Sequence, residues 1–297
     1  MKYSIREDGG TEIRKRQKPY TKKCESEYCE LWLKRNKSIL DRLLELRSSI
    51  ICLQEFWVAN EELVGMYEKR LGDAGYVTYK LARTNNRGDG LLTAVQQNHF
   101  HVLNYRECLF NDIGDRVAQL FHVELLARPG SQSIELGIEI LFVNTHLIFP
   151  HDSTCCFLRL QQVYKILQVI ESYCHEYELP PVPIILCGDW NGSKKGNVCK
   201  FLLSQGFVSS YDFAHNYTGD GEETYEWVSH CNHRGDICAV DFIWLFNPNK
   251  SRKPLKQSFL EALIGNVNVR SHFGGHAIAY ADHGGRSTRV WQSIIEV

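Results

Sequence analysis

The sequence predicts a mixed α/β fold in which two β-sheets pack face to face with helices outside. Three observations predict it. Short apolar runs of strand length are interleaved with amphipathic stretches of helical period. The interleaving lacks strict βαβ regularity. The chain of 297 residues, 43% hydrophobic, suits one large domain with an ample core, although length alone would also allow two.

Residues 1–27 form an arm without a periodic apolar pattern. Its first 23 residues carry eight Lys or Arg against three Asp or Glu, so it reads as a flexible, basic, solvated tail. Leu31-Trp32-Leu33, Ile39-Leu40, Leu43-Leu44 and Leu46 recur at helical spacing over 28–47. Strand 49–55 follows, then a helix from Glu61 to Ala74 and a strand over Gly75–Leu81. The polar turn Thr84–Gly90 precedes the strand Leu91–Val95. Arg116–Leu126 is a strand, and Arg128-Pro129-Gly130-Ser131 turns into another that ends at His146. A long amphipathic helix over Phe157–Glu176 is stopped by Pro180-Pro181. The run Val182–Cys187 is a buried strand, and Gly196–Gln205 is a short helix ended by Gly206. Glu223–Val228 and Ile237–Phe246 are late strands separated by the loop Ser229–Asp236. The division expected is an arm over 1–27, a domain over 28–262 and an irregular tail over 263–297 that either stands apart or partly completes the domain.

The net charge of −1 gives no global signature of a nucleic-acid binder, though a local basic groove would suffice for one. No run approaches the length of a membrane span, so no membrane partner is expected. The start of the chain lacks an apolar signal core. Eleven scattered cysteines, several inside apolar strands, fit a reduced intracellular compartment, cytoplasmic or nuclear. Cys231, His233 and Cys238 lack the paired spacing of a zinc site.

The chemistry concentrates at strand ends. The run before Gly188-Asp189-Trp190-Asn191 delivers an acid and an amide at the tip of a core strand. A carboxylate beside a neutral amide suits a site that activates water and holds an oxyanion; an Asx turn closing the strand is the alternative. Ser49–Leu53 runs into Gln54-Glu55, and Glu139–Val143 runs into Asn144-Thr145-His146. Three apolar strands ending on Glu, on Asn and His, and on Asp and Asn exceed coincidence. Hard divalent cations take carboxylate and amide oxygens. Asp241 lies inside the apolar strand Ala239–Leu245, where a charge must be paired.

Leu53-Gln54-Glu55, Asn144-Thr145-His146-Leu147, Gly188-Asp189-Trp190-Asn191 and Val240-Asp241-Phe242-Ile243 occur in the order and rough spacing of the endonuclease/exonuclease/phosphatase superfamily. From about Tyr28 to about Ala262 the chain resembles the deadenylase-like, carbon catabolite repressor branch of that superfamily. Within the branch it is most similar to plant members that carry a calcium-binding helix-loop-helix region. The resemblance implies a DNase I-like, four-layer sandwich of two mixed sheets flanked by helices, with the site at one rim. It implies a Mg²⁺-dependent phosphodiesterase, Mn²⁺ being an alternative ion, of the poly(A)-shortening ribonuclease type. The competing expectations are an impaired, truncated form that binds RNA or a partner without turnover, and a phosphatase acting on inositol phosphates or phospholipid head groups.

In this resemblance Glu55 holds the metal and His146 contacts the scissile phosphate. Asp189 orients or deprotonates water, Asn191 binds a phosphate oxygen, and Asp241 holds a C-terminal His. Asn144 and the loop residues Arg87 and Asp89 are the substrate-binding candidates. Arg159 and Gln162 are expected at the surface or behind the site, and Tyr79, Trp190 and Trp227 in the core or stacked on bases. Two departures follow. The family's first strand, with a Phe-Asn or Tyr-Asn pair, has no counterpart in residues 1–27, which leaves the first strand of the sandwich unaccounted for. The Ser-Asp-His motif is replaced by Ala281-Asp282-His283-Gly284-Gly285. His283 is the first candidate partner of Asp241, with weak approach or none expected because the two glycines that follow give no strand to hold it; His276 is second and His272 a further candidate. The calcium-loop pattern D-x-[DN]-x-[DN]-G does not occur in the sequence.

Overall fold

The computed structural model describes residues 29–126, 137–149, 153–214, 229–231, 237–247, 255–256, 277–280 and 291–295. The basic arm, the expected strand Glu223–Val228, Trp227, His272, His276 and His283 lie outside them. Helix α1 (Cys29–Leu46) leads into β1 (Ile50–Phe56), α2 (Glu61–Asp73), β2 (Tyr76–Ala82) and β3 (Gly90–Gln96). Strands β4 (Phe100–Leu109), β5 (Val117–Leu125) and β6 (Ile138–His146) precede the long helix α3 (Ser153–Glu176). Then come β7 (Ile184–Asp189), α4 (Asn197–Ser204), β8 (Phe207–Ser209) and α5 (Ser210–Ala214). The short strands β9 (His230–Cys231) and β10 (Ile237–Cys238) pair with each other, and β11 (Asp241–Phe246), β12 (Ala277–Tyr280) and β13 (Trp291–Ile295) complete the order.

The first sheet runs β12-β13-β1-β3-β2 and the second β4-β5-β6-β7-β11-β8. From the stretch 263–297, read from sequence as an irregular tail that stands apart or partly completes the domain, β12 and β13 enter the first sheet, with β13 antiparallel to β1. Strand β4 escaped the sequence reading because its residues are mostly partly or fully exposed, with two buried, without the clean alternation that marks a strand.

Period two in the strands divides the core into three layers. Ile51 and Leu53 face α1 and α2 with Leu40, Leu43, Leu63 and Tyr67. Ile50 and Cys52 face the second sheet and meet Phe121, Phe142, Cys187 and Ile243. Leu141, Val143 and Leu186 face α3 and α4 with Leu160, Val163 and Phe201. This is the four-layer, DNase I-like sandwich expected from the sequence. Between the sheets, the cross-strand partners Phe121 and Phe142 stack with centroids 4.5 Å apart. The thiols of Cys52 and Cys187 approach to 3.3 Å across the same layer. Helix α2 starts where Asn60 accepts a bond from the Leu63 amide, satisfying an otherwise orphaned donor.

Phe142→Ala opens a cavity in the layer that joins the sheets. Its expected cost is about 3–5 kcal/mol, read as a lowered midpoint in urea unfolding. A loss below about 1 kcal/mol would show that this layer collapses around the vacancy.

Candidate active site

The pairing of three strands builds the site. Strands β6 and β7 run parallel with His146 opposite Asp189, and β11 lies antiparallel on the other side with Asp241 opposite Asp189. His146 continues the alternation of Ile140 and Phe142, Asp189 that of Cys187, and Asp241 that of Ile243, all of which face the inter-sheet layer. The three polar side chains therefore stand in one row at the rim of that layer. Gly188 allows the row to close: a Cβ at this position, whose φ is 146°, would lie 1.9 Å from the Thr145 carbonyl oxygen. The sheet contacts continue past the tips, with Leu147 N donating to Asp189 O at 2.9 Å and Trp190 N donating to Val240 O at 2.8 Å.

The turn after β7 folds Asn191 back onto the row. Its φ is 46°, in the left-handed region that Asn tolerates better than most residues. Its backbone amide donates to Asp189 Oδ1 at 2.9 Å, the Asx geometry noted as the alternative from sequence. Its side-chain Nδ2 donates to Leu147 O at 2.9 Å and lies 3.0 Å from His146 Nε2. His146 Nε2 is also 3.4 Å from Asp189 Oδ2. The Asx turn and the polar constellation thus coexist. Asp241 is buried, and its backbone amide and that of Val240 each donate to Ser229 Oγ at 3.0 Å.

A bulge governs Glu55. Leu53 pairs with Leu92 but Phe56 pairs with Gly90, so one extra residue is inserted into β1. Leu53 and Phe56 both face the helical layer, and Glu55, at φ 54°, is turned out of that layer and half-buried. A non-glycine residue held there stores roughly 1–3 kcal/mol of strain.

Arg116, at the mouth of β5, ties the pieces together. Its Nη1 lies 2.8 Å from His146 Nδ1, and the residue is only 7% exposed. Burial first, and then the charge of Arg83, push this guanidinium below the usual arginine range, while Asp89, Glu55 and Asp189 pull it back up. Glu55 and Asp189 thus both act on one buried cation. Beside it, Arg83 bridges Asp89 Oδ2 at 3.0 Å and Asp115 Oδ1 at 2.7 Å. Arg87 donates from Nε to Asp115 Oδ2 at 3.1 Å, with its side chain 59% exposed. Burial raises the Asp115 carboxyl, but the Arg83 bond and the charges of Arg83, Arg87 and Arg116 outweigh it and hold the group below the ordinary carboxylate value.

The structure does not bring Asn144 to the rim with the others. Its Oδ1 accepts from Gln54 Nε2 at 2.7 Å, and its Nδ2 reaches Thr93 Oγ1 at 3.0 Å and Gln119 Oε1 at 3.4 Å. Thr93 in turn donates to Gln119 Oε1 at 2.7 Å. These four residues, fully buried, form a polar layer between the apolar inter-sheet core and the rim. Arg159 and Gln162 are buried, not superficial: Arg159 donates to Ile148 O at 2.9 Å and Gln162 Oε1 accepts from Ile148 N at 3.0 Å. They clamp the loop that leaves His146. Trp190 is buried and donates to Phe242 O at 3.0 Å, so its ring is core and offers no stacking face. Tyr79 packs between Tyr105 and Phe121.

Sequence reasoning missed Arg83, Asp115 and Arg116 as site groups. The signal for Arg116 was present, since it opens an apolar strand as Glu55, His146 and Asp189 close theirs. Among the described residues no three His, Cys, Asp or Glu side chains gather as metal ligands, and no helix is long and apolar enough to cross a membrane.

The fold is that of the endonuclease/exonuclease/phosphatase proteins. A solved structure of ANGEL2, a 2′,3′-cyclic phosphatase in complex with adenosine-2′,3′-vanadate, superposes with a TM-score of 0.56 at 18% identity, over 70% of this chain and 73% of that one. In sequence the chain is similar to an uncharacterized calcium-binding protein of Arabidopsis thaliana, 59% identical over 249 residues, covering 84% of this chain and 51% of the relative. It is also similar to carbon catabolite repressor protein 4 homolog 3 of Arabidopsis thaliana, 30% identical over 176 residues, covering 58% of this chain and 36% of the relative. The chain thus spans about half or less of the length of these curated relatives. No family model matches it.

Two outcomes are expected. Asn144→Ala takes from Gln54 Nε2 its 2.7 Å acceptor and leaves it the Cys52 carbonyl at 3.3 Å, while Thr93 and Gln119 keep their mutual bond; the expected cost is about 1–3 kcal/mol, measured by chemical unfolding, and unchanged stability would show that this amide layer contributes nothing to holding the sheets. Asp115, whose folded value is depressed, stabilises the fold above its unfolded value of about 3.9, and that contribution is lost as pH falls through the folded value. Asp115→Asn should therefore unfold more easily than the parent near neutral pH and converge with it in strong acid. A gap between the two that does not shrink on acidification would contradict the ion-pair account.

Proposed function

We propose that this chain is a Mg²⁺-dependent phosphodiester hydrolase of the poly(A)-shortening ribonuclease type. The observation that carries the reading is the row His146–Asp189–Asp241, with Asn191 folded onto it and Arg116 acted on by Glu55 and Asp189. Homology to carbon catabolite repressor proteins supports the same class.

The donor set fits Mg²⁺. That ion keeps several waters and takes one or two carboxylates from a protein, and the half-buried Glu55 carboxylate, acting on the same buried guanidinium as Asp189, is a donor of that kind. Glu55, turned rimward by the bulge, is the residue to hold it. When bound, the ion neutralises phosphate charge and stabilises the leaving oxygen. The remaining work is positioning and electrostatics, the larger part of phosphoryl transfer. Asp189, with one carboxylate oxygen fixed by the Asn191 amide, orients the attacking water and accepts its proton. His146 and the Asn191 amide face the phosphate oxygens. Arg87, tethered by Asp115 yet largely exposed, offers a cation to the substrate backbone at the edge of the site. Asp241 orients a histidine from beyond β11, His283 being the first candidate.

One observation favours a second reading, a phosphatase or cyclic phosphodiesterase on a small phosphoester. Arg83 and Arg87 are matched by Asp89 and Asp115, which leaves this part of the rim near neutral and without the basic groove a long polyanion prefers.

Purified protein should be offered labelled poly(A), non-adenylate RNA, RNA ending in a 2′,3′-cyclic phosphate, and inositol phosphates, each with Mg²⁺ and with EDTA. The expected result is Mg²⁺-dependent cleavage of poly(A), abolished by EDTA, with Asp189→Ala, measured below its own unfolding temperature, lowering kcat by about 10²–10³. Turnover of the cyclic phosphate or inositol phosphates in place of poly(A) would transfer the assignment to the second reading. Cleavage of none of the probes would support a binding protein without turnover.

A further inference from the structure

We propose that Arg116 is a positioning residue for His146, holding the ring as the neutral Nε2–H tautomer so that this proton faces the Asp189 carboxylate and the rim. The proposal rests on the hydrolase reading above and specifies how His146 serves it. A neutral imidazole has one N–H and one lone pair. Two donors compete for that lone pair: Arg116 Nη1 at Nδ1, 2.8 Å away, and Asn191 Nδ2 at Nε2, 3.0 Å away. The guanidinium can only donate. The Asn191 amide nitrogen cannot be exchanged for its oxygen, because Nδ2 also sits 2.9 Å from the Leu147 carbonyl, where an oxygen would be repelled.

Charge decides the competition. A bond from a cationic donor is roughly twice as strong as one between neutral groups, and burial of Arg116 keeps it from being diluted by water. The Leu147 carbonyl takes one of the two Asn191 amide protons and the other makes only a neutral, longer contact with the ring, whereas Arg116 offers a cationic Nη1 donor at 2.8 Å. The lone pair therefore sits on Nδ1 and the proton on Nε2, 3.4 Å from Asp189 Oδ2. A proton on Nδ1 would set two donors against each other 2.8 Å apart, so the contact with Arg116 excludes both the Nδ1–H form and the doubly protonated ring. His146 consequently acts as a hydrogen-bond donor to a developing phosphate oxygen, and the neutral amide of Asn191 completes the same pocket.

The test reads the tautomer directly. In ¹⁵N-histidine-labelled protein, with the His146 signals identified by their loss in His146→Gln, long-range ¹H–¹⁵N spectra should show Nδ1 unprotonated and Nε2 protonated. Arg116→Met removes the donors while keeping most of the volume and should release the ring toward the Nδ1–H form. Arg116→Lys, again a cationic donor, should preserve Nε2–H. If cleavage is observed, kcat should fall about 10- to 100-fold in Arg116→Met, as for partners that orient a site histidine, with KM little changed and partial recovery in Arg116→Lys. An Nδ1–H tautomer in the parent protein, or an unaltered tautomer in Arg116→Met, overturns the proposal. Should Arg116→Met fail to fold, the parent and Arg116→Lys spectra still decide. Absence of cleavage would sink the hydrolase reading alone, since the spectra need no turnover.

Discussion

Parallel pairing of β6 with β7 is the constraint on which the site depends. It fixes His146 beside Asp189 without any direct requirement on either side chain, and antiparallel pairing of β11 then adds Asp241 on the far side. Strand register is a collective property: a slip of one residue would move Phe142, Cys187 and Ile243 from the inter-sheet core to the helical faces. The apolar layer that holds the two sheets together therefore also holds the catalytic candidates in line. Gly188 permits the pairing to persist to the last residue, because any side chain there would meet the Thr145 carbonyl.

Going outward from the apolar layer, polarity rises in steps. The amide and hydroxyl layer of Gln54, Thr93, Gln119 and Asn144 comes first, neutral and mutually hydrogen-bonded. Above it stand the ionisable groups of the rim, buried but linked through Arg116 and the turn of Asn191. Such grading keeps charged groups away from the apolar interior, where an uncompensated charge would cost several kcal/mol. It also gives those groups a low-dielectric setting in which hydrogen bonds are strong.

Much of this was legible in the sequence. The strand runs ending at Glu55, His146 and Asp189 announced both the sheets and the rim, because an apolar strand that stops on a polar cluster is a local pattern. Strand β4 was not legible, since its faces are too evenly exposed for alternation to show. The bulge at Glu55 was not legible either: nothing local to Leu53-Gln54-Glu55 states that Phe56, and not Glu55, takes the next helix-facing position. For Arg159 and Gln162 the sequence left surface and a place behind the site open, because long polar residues on a helix usually face water; the loop after His146 supplies buried backbone groups that draw them behind the site.

The two asparagines show where sequence reasoning reaches its limit. Asn144 and Asn191 have identical side chains, each two residues from a site candidate at the end of an apolar strand. Asn144 lies two residues inside the end of β6, deep enough that both ends of its amide are consumed between the sheets. Asn191 lies two residues beyond the end of β7, where a left-handed turn brings its amide back against His146. One is structural glue and the other a rim donor, and the difference is whether the asparagine precedes the strand end, inside the sheet, or follows it, in a turn that folds back onto the row. Residue type and spacing announce that polar groups collect at this end of the sandwich. Only the register of the strands, set by apolar packing far below, assigns each group to the interior or to the site.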